Sequence, residues 1–195
     1  MTSATLDNPG KAVLSPYKLA HVVLRTNNFD AMPSFYKTFL GGHAIFENEM
    51  LSFQTYDEED HRIGIMAMPG VGPKNPATSG LEHISFCYRS LTELATSYLQ
   101  RKANGIEPFW CVNHGPSTSV YYKDPDGNVL ETEVENFESV EQSIAFVGSE
   151  AYQINPIGVD FDMEELIAKL KRGDDETELK KRPASGPRGP DSVPQ

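Results

Sequence analysis

The chain has 195 residues, 38% hydrophobic and 23% charged, with a formal net charge of −11. That is the size of one domain, or of two small lobes sharing a core, and it can bury enough apolar surface to fold without staples. The acidic balance repels phosphate backbones and anionic membranes, and no Lys/Arg stripe reverses it. No apolar run approaches the roughly 20 residues that span a bilayer, so nucleic-acid and membrane roles give way to a small-molecule partner.

Residues 1–16 are small and polar and read as a flexible segment. They lack a charged stretch followed by an apolar one, so no secretory signal is predicted and a cytoplasmic location fits. The two cysteines, Cys87 and Cys111, have no paired spacing and read as buried thiols.

Tyr17 to Leu24 is a strand-like apolar run containing His21. Met32, Phe35, Tyr36, Phe39 and Leu40 then recur at helical spacing until Gly41 and Gly42 stop the helix. Ala44 to Glu47, Leu51 to Tyr56 and Arg62 to Met68 read as strands, closed by the Pro/Gly-rich linker 69–80. The order βαβββ then repeats. Leu81 to Tyr88 carries His83, and Ser90 opens a helix with Glu93 three residues later. Asn104 and Gly105 end that helix, and Glu107 to Val112, Ser119 to Lys123 and Val129 to Val134 complete the unit. His21 and His83 are separated by almost the same interval as the helix stops Gly42 and Gly105, as two copies of one module require.

Residues 17–137 therefore read as an α+β domain of two tandem βαβββ modules, 17–69 and 80–137, whose curved mixed sheets line a shared metal cavity. Residues 138–170 form a wrapping segment with a short amphipathic helix at Met163 to Leu170. Residues 171–195, charged and rich in Pro and Gly, are expected to be disordered.

Two imidazoles and one carboxylate, His21, His83 and Glu131, each lie in a strand-like run. That donor set can hold Fe(II) on one face and leave the opposite face open to substrate and dioxygen. A lone strand histidine is more often a satisfied structural group, so the repetition carries the argument. Glu133 shares the strand face of Glu131 and is its rival. His43, after the glycine stop, reads as a surface residue. Tyr121 and Tyr122 alternate, one toward the cavity and one away. Phe109 and Trp110 point to opposite faces, and either one forms an aromatic wall for a planar substrate or both serve the core. DPDGN reads as a tight turn that aims Glu131.

The segment Val112 to Glu131, VNHGPSTSVYYKDPDGNVLE, resembles the signature of extradiol ring-cleavage dioxygenases (the catechol and biphenyl-2,3-diol type) of the vicinal oxygen chelate superfamily. Its elements are a His, a hydrophobic residue followed by Tyr, Asp-Pro-x-Gly, and a closing Glu. LAHVVLRT, LEHISFCY and YDEEDHRIGIM resemble their counterparts in the small single-domain members. The resemblance implies that His21, His83 and Glu131 bind Fe(II), Mn(II) being the other metal such ligands accept. It further implies that His61 is the acid/base residue and that His114 and Tyr121 hydrogen-bond near the substrate. Many related sequences have adjacent histidines where this one has Asp60 and His61.

The implied reaction inserts both atoms of O2 into a catecholic substrate and cleaves the ring beside the diol, in a homo-oligomer. Two other readings stand beside it. A glyoxalase-like lyase or isomerase would usually add a ligand from the Ile63 to Met68 region, which has no carboxylate. A metal-free binding protein of bleomycin-resistance type would have little use for the three donors together.

Overall fold

Residues that stop helices on physical grounds bound both helices of the repeat. In the computed structural model, which describes residues 6–7 and 10–194, the first module runs β1 (Val22–Thr26), α1 (Met32–Leu40), β2 (His43–Glu47), β3 (Leu51–Thr55) and β4 (Ile63–Ala67). Pro33 sits in the first turn of α1, where its missing N–H costs nothing, and Gly41 takes a left-handed φ of 64° to close the last turn. The second module repeats the order with β5 (His83–Tyr88), α2 (Leu91–Ala103), β6 (Trp110–Asn113), β7 (Ser117–Lys123) and β8 (Val129–Glu135). Ser90 caps α2 by accepting from the Glu93 amide, and the Glu93 carboxylate accepts from Arg89 N–H at 3.0 Å.

Each module builds its own sheet, ordered β1-β4-β3-β2 in the first and beginning β5-β8-β7-β6 in the second. Among the described residues only the β1/β4 and β5/β8 pairs are parallel. The sheets stay separate, and among the described residues no closed barrel forms.

One core joins the modules, and it is filled from a single face of each sheet. Leu24, Ile63 and Ile65 enter it from the first sheet, and Val120, Tyr122, Leu130 and Val134 from the second. Tyr36 and Phe39 of α1 and Leu91, Leu94 and Tyr98 of α2 complete it. The ring of Phe39 lies 5.2 Å from that of Tyr122 and 6.2 Å from that of Phe86, and the Tyr36 hydroxyl donates to Asp124 at 2.9 Å. Arg101, only 2% exposed, bridges the two helices. It donates to the Phe39 carbonyl from Nε and Nη2, to the Tyr88 hydroxyl at 2.7 Å and to Ser97 Oγ at 3.1 Å. The Phe39 carbonyl belongs to the last turn of α1, the negative end of its dipole, which favours a buried cation.

Several expectations change at the ends of the chain. Residues 1–5 and 8–9 of the expected flexible segment lie outside the described residues, and no helix or strand forms over residues 10–21. The wrapping segment holds α3 (Val140–Val147), α4 (Glu150–Ile154), β9 (Val159–Asp160) and α5 (Met163–Arg172). β9 pairs with β6 and makes the second sheet five-stranded. Residues 171–194 are docked rather than disordered. They form α6 (Glu176–Leu179), and the Glu176 carboxylate accepts from the Leu91 and Thr92 amides at 2.8 and 3.0 Å, capping α2. Arg188 pairs with Asp160 at 2.6 Å. Composition missed this docking because its contacts are polar and directional rather than apolar. Cys87 is exposed, not buried, because it falls on the strand face turned from the core.

Candidate active site

Cross-strand register builds the site on the second sheet. Ser85 pairs with Glu131, Glu131 with Tyr121, and Tyr121 with Trp110, so four side chains from successive strands stand in one row. Alternation puts that row on the face opposite the core, which Tyr122 and Leu130 fill from the other side.

His83 opens β5, and its Nε2 lies 3.1 Å from Glu131 Oε2. The Tyr121 hydroxyl is 2.9 Å from Glu131 Oε1 and 2.9 Å from His114 Nε2. His114 Nδ1 faces the Ile157 carbonyl, which can only accept, so hydrogen-bond accounting puts a proton on Nδ1 and leaves Nε2 of the neutral ring as an acceptor. One phenolic proton then stands between two acceptors. The row is one proton short of satisfying both contacts.

Electrostatics follow from this packing. Burial pushes the Glu131 carboxyl up, but hydrogen bonds from His83, Ser119 and Tyr121 outweigh it and hold the group at about 2. The same pairing with Glu131 raises His83. Burial lowers His114 and raises Tyr121, and the Glu131 charge raises Tyr121 further. Burial, then the charge of Glu131, raises Glu133. Of the two rival carboxylates, only Glu131 bonds His83 and Tyr121. Trp110 stacks on Tyr121 at 4.8 Å and meets His114 edge-on at 5.6 Å, giving the face an aromatic wall.

The first module carries a separate group. His21 sits just before β1 rather than inside a strand, is exposed, and stacks on His61 with ring centroids 4.3 Å apart. His61 Nδ1 is 3.1 Å from Asp60 Oδ2, and Phe53 lies 5.0 Å from the His61 ring. Among the described residues, no three His, Cys, Asp or Glu side chains gather closely enough to share an ion. The fold thus brings His83, Glu131, Tyr121 and His114 together, and His21 and His61 together, but leaves the two groups apart. A cavity of about 690 Å³ lies where α1 meets α2, lined by Phe39, Tyr56, Phe86, Tyr88 and Arg101, and none of the six candidate residues lines it.

Sequence reasoning missed the support behind His114. Asn155 Oδ1 accepts from the Ile157 and Gly158 amides at 3.0 and 2.7 Å, a turn that aims the Ile157 carbonyl at the ring. Arg182 ties this turn down by donating to the carbonyls of His114, Asn155 and Ala151. A backbone acceptor leaves no mark in a sequence. The Asn-Pro-Ile-Gly run was the available signal.

The profile of the Glyoxalase/Bleomycin resistance protein/Dioxygenase superfamily matches residues 18–132. The chain belongs to that superfamily. Within this glyoxalase/dioxygenase superfamily it is 42% identical over 167 residues to biphenyl-2,3-diol 1,2-dioxygenase 3 of Rhodococcus globerulus, covering 85% of this chain and 88% of that protein. It is 40% identical over 157 residues to biphenyl-2,3-diol 1,2-dioxygenase 2 of the same organism, covering 80% and 83%. Among solved structures, a superfamily domain from Frankia sp. EAN1pec aligns with a TM-score of 0.54 and 19% identity over 64% of this chain and 96% of that one. Lactoylglutathione lyase from Agrobacterium tumefaciens aligns with a TM-score of 0.50 and 20% identity over 61% and 94%. These structural likenesses are to the fold alone.

Proposed function

We propose that this chain is an Fe(II)-dependent extradiol dioxygenase that inserts both atoms of O2 into a catechol-type diol and opens the ring beside the diol. The observation that carries the reading is the row His83–Glu131–Tyr121–His114, in a chain 42% identical to a biphenyl-2,3-diol 1,2-dioxygenase over most of its length.

The donor chemistry fits a divalent cation. Glu131 is 5% exposed yet held ionised, with His83 the imidazole nitrogen at its side, and a small hard or borderline cation suits that oxygen and nitrogen pair. His83 and Glu131 would hold the ion; His21, the third donor that the resemblance implies, lies apart from them with His61. Bound there, iron supplies chelation of both diol oxygens and an electron path between ring and dioxygen; Mn(II) accepts the same ligands.

The remaining steps belong to the side chains. Trp110 offers an aromatic face against which a planar substrate can lie. Because the His114–Tyr121–Glu131 row is one proton short, it can take up a proton released by a diol hydroxyl and return it to a product oxygen. His61, the acid/base residue that the resemblance implies, stands with His21 and Asp60 on the first module, apart from this row. Free thiols at Cys87 and Cys111 suit a reducing, cytoplasmic setting, and no helix among the described residues is long and apolar enough to cross a membrane.

The test is anaerobic loading with Fe(II) followed by oxygen-electrode assays over substituted catechols, biphenyl-2,3-diol included. Uptake with a yellow ring-opened product that carries both atoms of labelled O2 is expected. A metal-loaded protein that consumes no oxygen with any of them overturns the reading and leaves a lyase or a binding protein.

A further inference from the structure

We propose that the cavity between α1 and α2 is a second ligand site, and that it takes a small aromatic carboxylate, a benzoate-type anion, on the buried guanidinium of Arg101. It is separate from the proposed metal centre, since His21, His61, His83, His114, Tyr121 and Glu131 do not line it. It does not depend on the dioxygenase reading.

Arg101 is a buried charge without a counter-charge. It is 2% exposed, and its hydrogen-bond partners, the Phe39 carbonyl and the Ser97 and Tyr88 hydroxyls, are all neutral. An arginine stays charged at any ordinary pH and is almost never fully buried unless paired. The C-terminal end of α1 offers only roughly half an elementary negative charge. The carboxylates on the cavity wall are committed elsewhere. Asp57 pairs with Arg62 at 2.9 Å, and Glu93 accepts from the Arg89 amide at 3.0 Å and faces its guanidinium at 3.8 Å.

Donor capacity is also left over. A guanidinium carries five N–H groups; Nε and Nη2 spend three on Phe39 and Tyr88, and Nη1 spends one on Ser97, which leaves one on Nη1 without a partner among the described residues. Ser97 commits its own proton to the Leu94 carbonyl, but the Tyr88 hydroxyl only accepts, so its proton is available on the cavity wall. One cationic N–H and one O–H on neighbouring groups suit the two oxygens of a single carboxylate.

The rest of the wall selects the body of the ligand. Phe86 meets Tyr56 edge-on at 6.0 Å and Phe39 at 6.2 Å, an aromatic lining that favours a flat ring. The volume of about 690 Å³ falls in the range that holds small-molecule ligands. Asp57 and Glu93 disfavour a second negative charge, so a monoanion fits better than phosphate. Phe39 and Tyr56 come from the first module, and Phe86, Tyr88 and Arg101 from the second, so the ligand would touch both.

Calorimetric titration of benzoate into the full chain tests the site, with metal removed so that no bound ion competes for the carboxylate. Benzamide, the neutral isostere, and inorganic phosphate are the comparisons. Benzoate is expected to bind with a Kd below about 1 mM, and benzamide and phosphate at least about tenfold more weakly. Because the cavity exists only while the modules are packed together, benzoate should also raise Tm. Arg101→Met should abolish binding. Arg101 also ties the two helices, so Gln100→Glu, which sets a carboxylate at an exposed position on the cavity wall, repeats the test if Arg101→Met misfolds. It should weaken benzoate at least about tenfold and leave benzamide unchanged. Benzoate that binds no tighter than benzamide, that is indifferent to Gln100→Glu, or that gives neither heat nor a Tm shift at about 10 mM overturns the site. Phosphate binding tighter than benzoate overturns the aromatic carboxylate as its ligand.

Discussion

Replacing Tyr121 by Phe removes a single oxygen from the most connected point of the site. The ring that stacks on Trp110 at 4.8 Å stays, while the 2.9 Å contacts to Glu131 and His114 are lost. Two lost contacts do not mean two lost bonds. With Nδ1 of His114 committed to the Ile157 carbonyl, the phenolic proton serves one acceptor at a time, so the loss is one hydrogen bond to a charged group, worth about 1.5–3 kcal/mol. Glu131 keeps His83 beside it, which holds the loss toward about 2 kcal/mol. With an m-value of about 2 kcal/mol/M, the urea midpoint of metal-free protein should fall by about 1 M. Ring-cleavage turnover should fall about 10²- to 10³-fold with little change in KM, because a positioned donor acts mainly on the transition state. A Phe variant with an unchanged urea midpoint and unchanged turnover would refute the reasoning.

Two further outcomes probe the segments that the sequence reading left undefined. Gly158 has a φ of +117°, and a Cβ there would overlap the Asn113 carbonyl, so Gly158→Ala should cost at least the roughly 1–3 kcal/mol of a strained backbone position and should pull the Ile157 carbonyl off His114. Unfolding and histidine NMR together check this, and a neutral result would show that β9 does not hold the ring. Glu176→Gln tests the docking of the tail on α2. Burial raises the Glu176 pKa, but the Thr92 hydroxyl and the Leu91 and Thr92 amides lower it by more, so its folded value lies below its unfolded one. Such a group stabilises the fold above its unfolded pKa and loses that contribution as pH falls through the folded value. The Gln variant should be about 1 kcal/mol less stable at pH 7, and the gap should close under strongly acidic conditions. Melts at both pH values measure it; a gap that persists in acid would assign the effect to packing.

The sequence by itself determined the two modules, most of their strands and helices, and the identity of the chemical groups. It could do so because those properties are local: helical spacing from Met32 to Leu40, a cap at Ser90, a turn at DPDGN, and alternation that separates Tyr121 from Tyr122. The preference for Glu131 over Glu133 came from the resemblance of the Val112 to Glu131 segment, and in the fold Glu131 is the one of the two that bonds His83 and Tyr121. Only the tertiary structure decided which faces of the two sheets meet. Alternation says that His21 and Leu24 point oppositely, but it does not say which of them faces the other module. That depends on how α1 and α2 pack, and the buried bridge from Arg101 to the Phe39 carbonyl fixes it. The carbonyl that orients His114 and the carboxylate that caps α2 were beyond composition for a related reason. Both arrive from segments distant in the chain, and a backbone oxygen or a surface glutamate acquires its role from what folding sets beside it.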